Sequence, residues 1–412
     1  MNRTYRFIVA LWVIPAGLLA GGCRALDSGA TADGRPPATA AIPTATVEPT
    51  PPPPTLPTPQ PTRTVAVPPP AIATATVAPT VGPTATLPPL GAAERPIQLL
   101  FPPVAAGTII LQRAAPLVEA LRAATGVEFA AGIADSEAAL VELICAAPED
   151  TIGFISAAAY TVAHEQCDAR AGLVAARGDG LTWQMGMLVT QPGGPVALAD
   201  LAGQSWAVAD THSLPVTLYF QAQLAAAGIE PGEIVAMPEE TSALLALRGG
   251  EVDFTTATFV PPIMPLDQPW LPGETDPEVW RLLGVSPTRS PIGYVLVAGE
   301  PAAGGYRLRD ARARLFDTTP DIFDVTRILA VSAPIPNETV VIGADLPPEL
   351  AGDILAAMTQ FAASGACDAS LCSADLFGWT GLQPAEDSAY DPIRAIKDTL
   401  ELETADLWAE LD

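Results

Sequence analysis

An α/β fold in two lobes is what this 412-residue chain predicts, and three observations predict it. From about residue 95 onward, short apolar runs that read as strands alternate with stretches that read as helices, the pattern of a parallel sheet covered by helices. About 317 residues lie beyond that point, which suits two lobes of common domain size. One stretch, Ser205 to Val216, has the form strand, hydroxyl-rich loop, helix start. Its apolar run Trp206 to Ala209 reads as a buried strand, and Asp210, Thr211 and Ser213 are residue types that cap helices. Pro215 fits a first helical turn, and Gly228 fits a stop after about Ala227. A helix N-terminus presented by such a loop offers free N–H groups and positive dipole to an anion. An ordinary capped strand–helix unit has the same pattern.

Before the folded body come two segments of different character. Residues 1–22 read as a signal peptide, with Arg3 and Arg6 in the charged region and Phe7 to Leu19 as the apolar one. The run Leu19-Ala20-Gly21-Gly22-Cys23 resembles a bacterial lipobox, so Cys23 is expected to be the lipidated N-terminus of an exported protein held on the extracytoplasmic face of the membrane. Residues 23–94 are rich in Pro, Thr and Ala and poor in aromatics, a composition that builds no core and suits an extended, disordered stalk.

The body is acidic. Net charge is −26, and residues 1–95 hold six arginines and four acids, so the remainder carries −28 with a single lysine, Lys397. Nucleic-acid binding is disfavoured, since phosphate contacts need clustered Lys and Arg. Ile97 to Phe101 is the first expected strand. A helix carrying Leu117, Val118 and Leu121 ends at Gly126, and a strand begins at Val127. Ser136 caps a helix with Leu140, Leu143 and Ile144; Ile152 to Ile155 is a strand, and Ala157 to Glu165 a helix. Met185 to Thr190, Val252 to Thr256, Tyr294 to Ala298, Ile328 to Ala333 and Thr339 to Ile342 are further strands. Helices are expected at Ser242 to Leu247, at Leu350 to Ala363 and from about Pro392. Four cysteines remain after Cys23. Their positions suggest disulfides Cys145–Cys167 and Cys367–Cys372 in an oxidising compartment, with other connectivities open. No Cys-x-x-Cys pair or nearby histidine completes a zinc site, and no catalytic triad or phosphate-cradling glycine loop occurs, so neither a metal, a cofactor nor an enzyme is expected.

Seven stretches in order resemble the phosphate/phosphite/phosphonate-binding family of periplasmic solute-binding proteins. They are Tyr160 to Glu165, Leu198 to Gln204, Ala227 to Pro231, Leu247 to Asp253, Ser332 to Asn337, Asp345 to Leu350 and Tyr390 to Ile393. The resemblance implies a two-lobed periplasmic-binding-protein type II fold, with lobe 1 over residues 95–192, lobe 2 over 193–333 and a return to lobe 1 over 334–412. It implies a monomer that closes on a small-molecule ligand and hands it to an ABC permease. It places Tyr160, Trp183 and Ser156 on the first-lobe side of the ligand, and His212, Ser213, Glu240, Thr241 and Thr258 on the other. The chain departs from the family where it matters. Pro215 and Val216 stand where Ser-Gly is usual, Glu240 where histidine is frequent, and Thr258-Phe259 where Tyr-Asp is usual. The segment 261–324 is longer than the family leads one to expect. A carboxylate facing a dianion opposes binding, so an anionic or zwitterionic ligand is expected, with the amine of a zwitterion meeting Glu240. The alternative is a sensory or interaction module of the same fold that delivers nothing to a permease.

Overall fold

A computed structural model of the chain describes residues 87–408. The expected signal peptide, Cys23 and nearly all of the Pro/Thr-rich stalk lie outside the described residues. The body begins with β1 (Ile97–Phe101), β2 (Phe129–Ile133) and β3 (Thr151–Ile155), joined by α1 (Gly107–Thr125) and α2 (Glu137–Ala146); α3 (Ala157–Cys167) then leads to β4 (Arg170–Ala176). Helical spacing puts Ile110, Ala114, Leu117 and Leu121 on one buried face of α1, and Gly126 closes the helix at φ 73°. Ser136 caps α2, its side chain accepting from the Ala139 N–H at 3.1 Å.

The chain then crosses to a second sheet made from β5 (Trp183–Thr190), β6 (Trp206–Val208), β7 (Ile234–Ala236) and β8 (Phe254–Phe259), with α4 (Tyr219–Ala226) and α5 (Glu240–Gly249) in the connections. An extension carries a small sheet of β9 (Thr288–Arg289), β10 (Val295–Val297) and β11 (Tyr306–Leu308) before β12 (Arg327–Val331). The return consists of β13 (Ile335–Pro336), β14 (Thr339–Ile342), α6 (Pro348–Ala362), β15 (Gly381–Pro384), α7 (Asp391–Leu400) and α8 (Thr404–Trp408).

Strand order is β15-β4-β14-β3-β1-β2 in the first sheet and β12-β5-β8-β6-β7 in the second, where β13 also pairs with β5. β14 runs antiparallel between β3 and β4, and β5 runs antiparallel between β8 and β12. Each sheet thus takes in one strand from a crossover, at the same place in the same order, which is the two-lobed type II architecture. β5 belongs to the second sheet, although the first lobe was expected to run to residue 192. The crossing happens earlier because Arg177 and Leu181 pair across a turn just after β4 and send the chain over before the strand. The other crossing lies against it. Asn337, 4% exposed, donates its Nδ2 to the carbonyls of Ala175 (3.0 Å) and Leu181 (2.8 Å), and its N–H to Thr182 (2.9 Å).

Sequence reading passed over β4, β7, β15 and the two- and three-residue strands β9, β11 and β13. The sequence of β4, Arg-Ala-Gly-Leu-Val-Ala-Ala, has little alternation, and its form comes from neighbours on both sides, β14 and β15. β8 starts at Phe254 because Asp253 turns aside to accept from the Ser205 N–H (2.8 Å) and Oγ (2.6 Å). The Sγ atoms of Cys145 and Cys167, and of Cys367 and Cys372, lie at disulfide distance, 2.03 and 1.98 Å.

Helical turns begin at Leu214 as the loop predicts, but the first is wide. Leu218 N–H donates to Ser213 and Tyr219 N–H to Leu214, each five residues back. Pro215 and Val216 are buried in this turn, and Leu214, Leu218 and Ala222 share one apolar cluster with Tyr390, Ile393 and Ile396 of the first lobe. The lobes are therefore joined by an apolar seam beside the crossings as well as by the crossings themselves. Pro215 also sits hard against β5: a Cβ on Gly186 would lie 2.1 Å from the Pro215 carbonyl oxygen. Gly186→Ala is expected to push this turn away and to cost about 1–3 kcal/mol. In Gly352→Ala, where nothing lies within 4 Å of the new Cβ, the same change inside α6 should be neutral or slightly stabilising. Denaturant titration of the two variants checks the contrast.

Candidate functional site

Both lobes brace the cleft end of the third strand of their parallel set in the same way. In the first, α2 begins at Glu137, whose carboxylate accepts from the backbone N–H of Ser156, the residue after β3, and from its Oγ at 2.9 Å. In the second, α5 begins at Glu240, whose Oε1 accepts from the N–H of Thr258 (2.9 Å) and from its Oγ1 (2.5 Å). Each glutamate is the first residue of the helix that precedes the strand it braces. A carboxylate suits that position, facing the positive helix end. Hydrogen bonds to a carboxylate contribute about 1.5–3 kcal/mol each, offset by the cost of burying its charge, which for Glu137 is the larger effect.

The two braces differ in what they leave over. Glu137 spends both oxygens on Ser156. Burial, opposed by the Ser156 bonds and reinforced by the charge of Glu338, raises its pKa above the ordinary 4.5. Glu240 spends only Oε1. Its Oε2 is buried with no hydrogen-bond partner among the described residues, and Arg314 Nη1 lies 3.7 Å away.

Two adjoining cavities lie in this cleft. The first, about 200 Å³, is lined by Glu240, Thr258, Ser213, Pro215, Val216, Gln184 and Asp210. The second, about 230 Å³, shares Gln184 and Asp210 and adds Ser156, Ala157, Ala158, Leu214 and the return segment Ile335 to Glu338. Their linings include three carboxylates, Asp210, Glu240 and Glu338, and no basic side chain. Ser156 and Thr258 have already given their N–H and hydroxyl hydrogens to the two glutamates, so donors come from Ser213 and Gln184 and from the first turn of α3 ahead of Ala159, whose own N–H is bonded to Ser156 Oγ. Such a lining suits an ammonium group in the first cavity and a hydroxyl or other neutral acceptor at the α3 turn; Arg314, which lines neither cavity, is the nearest basic side chain to Glu240 Oε2 in an ion pair. Among the described residues no group of three or more His, Cys, Asp or Glu is placed to hold a metal ion.

Of the residues expected at the site, Ser213, Glu240 and Thr258 line the first cavity and Ser156 the second. Four lie elsewhere. Tyr160 is 1% exposed, packed on Tyr390 at 4.4 Å with its hydroxyl donated to Asp387 (2.6 Å), and so belongs to the first-lobe core. Its helix is buried nearly all round, so helical spacing did not single out a cleft face. Trp183 lines a separate 480 Å³ cavity with Tyr390 and approaches Trp270 at 6.3 Å. Strand alternation gives the cleft to Gln184, the next residue. His212 is exposed at the loop tip, Nδ1 3.3 Å from Thr211 Oγ1, and lines neither cavity. Thr241 is half-buried in the first turn of α5 and also lines neither.

Sequence reasoning missed Gln184, Glu137 and Glu338 and took Asp210 only as a cap, whose Oδ1 does accept from the His212 N–H at 2.9 Å. Signals were present: Glu137 follows the Ser136 cap, and Glu338 follows the Asn337 of a stretch that resembles the family.

Because the raised pKa lets native Glu137 keep its proton to higher pH than the unfolded chain, its contribution to stability is complete in acid and is lost as pH rises through the raised value. Denaturation midpoints of the unmodified protein should therefore fall, relative to Glu137→Gln, as pH climbs from 4.5 toward neutrality. Parallel pH profiles for the two proteins would contradict this.

A family model described as the periplasmic substrate-binding protein of phosphonate ABC transporters matches residues 99–390. No curated protein matches the chain. Among solved structures, the binding-protein component of an ABC phosphonate transporter from Pseudomonas aeruginosa is similar over 76% of this chain and 92% of its own, at 14% identity and TM-score 0.36. PhnD1 from Prochlorococcus marinus, solved with methylphosphonate, is similar over 74% of this chain and 98% of its own, at 11% identity and TM-score 0.37. XAC2383 from Xanthomonas citri, solved with ATP, is similar over 74% and 97%, at 12% identity and TM-score 0.45. With the family model spanning both sheets and both crossings, the chain belongs to the family of periplasmic substrate-binding proteins of phosphonate ABC transporters.

Proposed function

We propose that this protein is the lipid-anchored, extracytoplasmic solute-binding component of an ABC importer, and that its cleft takes a small zwitterion carrying an amine and an acidic group. The observation that carries this reading is the unspent Oε2 of Glu240 beside a cavity that Asp210 also lines. A buried carboxylate oxygen without a hydrogen bond is costly, and an ammonium group supplies what it lacks. On the other side of the balance, Pro215 removes an N–H donor from the wide turn and Val216 narrows it, so the donors that would hold a dianion there are fewer. Family membership supports a small-molecule ligand and a permease partner. The run ending Gly21-Gly22-Cys23 supports the anchor.

A second reading, a sensory module of the same fold that passes nothing to a permease, draws support from the apolar seam of Leu214, Leu218 and Ala222 against Ile393 and Ile396, which resists wide opening of the lobes. Small-angle scattering separates the two: a carrier contracts when ligand is added, and a module held closed by the seam does not.

Calorimetry with 2-aminoethylphosphonate and methylphosphonate tests the ligand class. The zwitterion should bind more tightly than methylphosphonate, and Glu240→Gln should weaken it by about 1–3 kcal/mol. The same change should strengthen methylphosphonate by removing like-charge repulsion. Tight methylphosphonate binding untouched by Glu240→Gln would falsify the zwitterion reading. For the anchor, Cys23→Ser should move the protein from the membrane to the soluble fraction.

A further inference from the structure

We propose that Arg314, supplied by the extension, is the specificity-determining second pole of the cleft. In the empty protein it covers Glu240. When a solute's ammonium group occupies Glu240 Oε2, Arg314 takes the acidic group of the same solute. This assignment rests on the zwitterion reading above and adds to it a residue that no sequence pattern singled out.

The geometry of the two side chains carries the argument. Glu240 has a fixed head, because both Thr258 bonds hold Oε1 and leave Oε2 turned to Arg314. Arg314 has a fixed base and a free head. It stands in a single turn, Ala311–Leu315, which Asp310 caps by accepting from the Arg312 N–H at 3.0 Å. Arg312 pins that turn from inside. It is fully buried, with Nη2 2.9 Å from Asp310 and Nη1 2.7 Å from Glu278. Two residues on, the Arg314 side chain is 64% exposed, against 18% for Glu240.

The separation of 3.7 Å is beyond a good hydrogen bond, and the guanidinium stands mostly in water, so this ion pair holds little and opens at small cost. An inventory of the charges explains the selectivity. A simple cation gains Glu240 and Asp210 but must displace Arg314. A simple dianion gains Arg314 but meets both carboxylates. A zwitterion exchanges one weak ion pair for two charge-assisted contacts, one at each pole. Arginine also binds a carboxylate or phosphonate through two parallel N–H groups, which fixes the orientation of the solute.

The test uses full-length protein, calorimetry, and two probes that differ by one pole: 2-aminoethylphosphonate and ethanolamine. Arg314→Ala should weaken 2-aminoethylphosphonate by about tenfold and leave ethanolamine unchanged or tighter, whereas Glu240→Gln weakens both. Arg314→Lys, which keeps the charge without the fork, should restore part of the loss. Unchanged 2-aminoethylphosphonate binding in Arg314→Ala overturns the assignment while leaving the zwitterion reading intact. Equal losses for both probes also overturn it, since they would mark Arg314 as a support for the fold. If the unmodified protein binds neither probe, the zwitterion reading falls and the role of Arg314 with it.

Discussion

Everything in the cleft depends on how the two crossings are held together. Asn337 does this from the interior, with one side-chain amide bridging carbonyls of Ala175 and Leu181 and its own N–H bonded to Thr182. Three bonds from one buried residue fix the end of β4, the turn after it and the start of β5 against the returning chain. A donor left unpaired at such a place costs about 1–3 kcal/mol, so the register of the crossings is strongly specified. From that register follow the positions of Gln184 in the cleft, Gly186 under Pro215 and Glu338 at the edge of the second cavity. The apolar seam of Leu214, Leu218 and Ala222 against the first lobe acts alongside and fixes the wide turn relative to α7.

On this frame the two lobes use one device for two ends. Glu137 and Glu240 occupy equivalent places, each bonded to the N–H and hydroxyl of a residue at the end of the neighbouring strand. In the first lobe the device is complete, and the buried carboxylate serves only to hold Ser156 and the start of α3. In the second it is left half-used: the spare oxygen is buried without a hydrogen bond in a residue that lines the first cavity. The same sequence feature, a glutamate at a helix start, is fully bonded in one lobe and has an unspent oxygen in the other. What decides is whether the second oxygen has a partner.

That difference explains which parts were legible in the sequence. The alternation of strands and helices, the Ser136 cap, the Gly126 stop and the strand–loop–helix at Trp206 to Val216 are local features, and the chain states them in its residue order. β4 and β7 were not legible, because weakly patterned strands take their form from pairing. Of the residues that line the first cavity, Glu240 and Thr258 stood out by their difference from the family's usual residues, and Ser213 by fitting a usual Ser/Thr position. Tyr160 and Trp183 misled for a geometric reason: an aromatic beside a cleft segment is conspicuous in sequence, while the helix face or strand face it occupies is set by tertiary packing. Arg314 was beyond reach altogether, since its approach to Glu240 depends on a buried ion cluster in a segment without periodicity.

The departures from the family pattern make physical sense together more than singly. Placing Pro215 in the wide turn removes a backbone donor and lets the turn pack against Gly186, an exchange of anion affinity for interlobe packing. A glutamate at the start of α5 would then oppose a bare anion, and left alone it would be a buried charge with one oxygen unsatisfied. The extension brings an arginine within 3.7 Å of that oxygen, too far for a good hydrogen bond, on a turn held by the buried Arg312 cluster and with its own side chain mostly exposed. Backbone donors cannot be withdrawn from a ligand, but a guanidinium on an exposed side chain can be presented or withheld. On the proposed reading, moving the positive pole from helix N–H groups to a side chain on a separate segment changes which solutes satisfy the cleft: a solute brings its own positive charge for Glu240, and Arg314 then meets its acid.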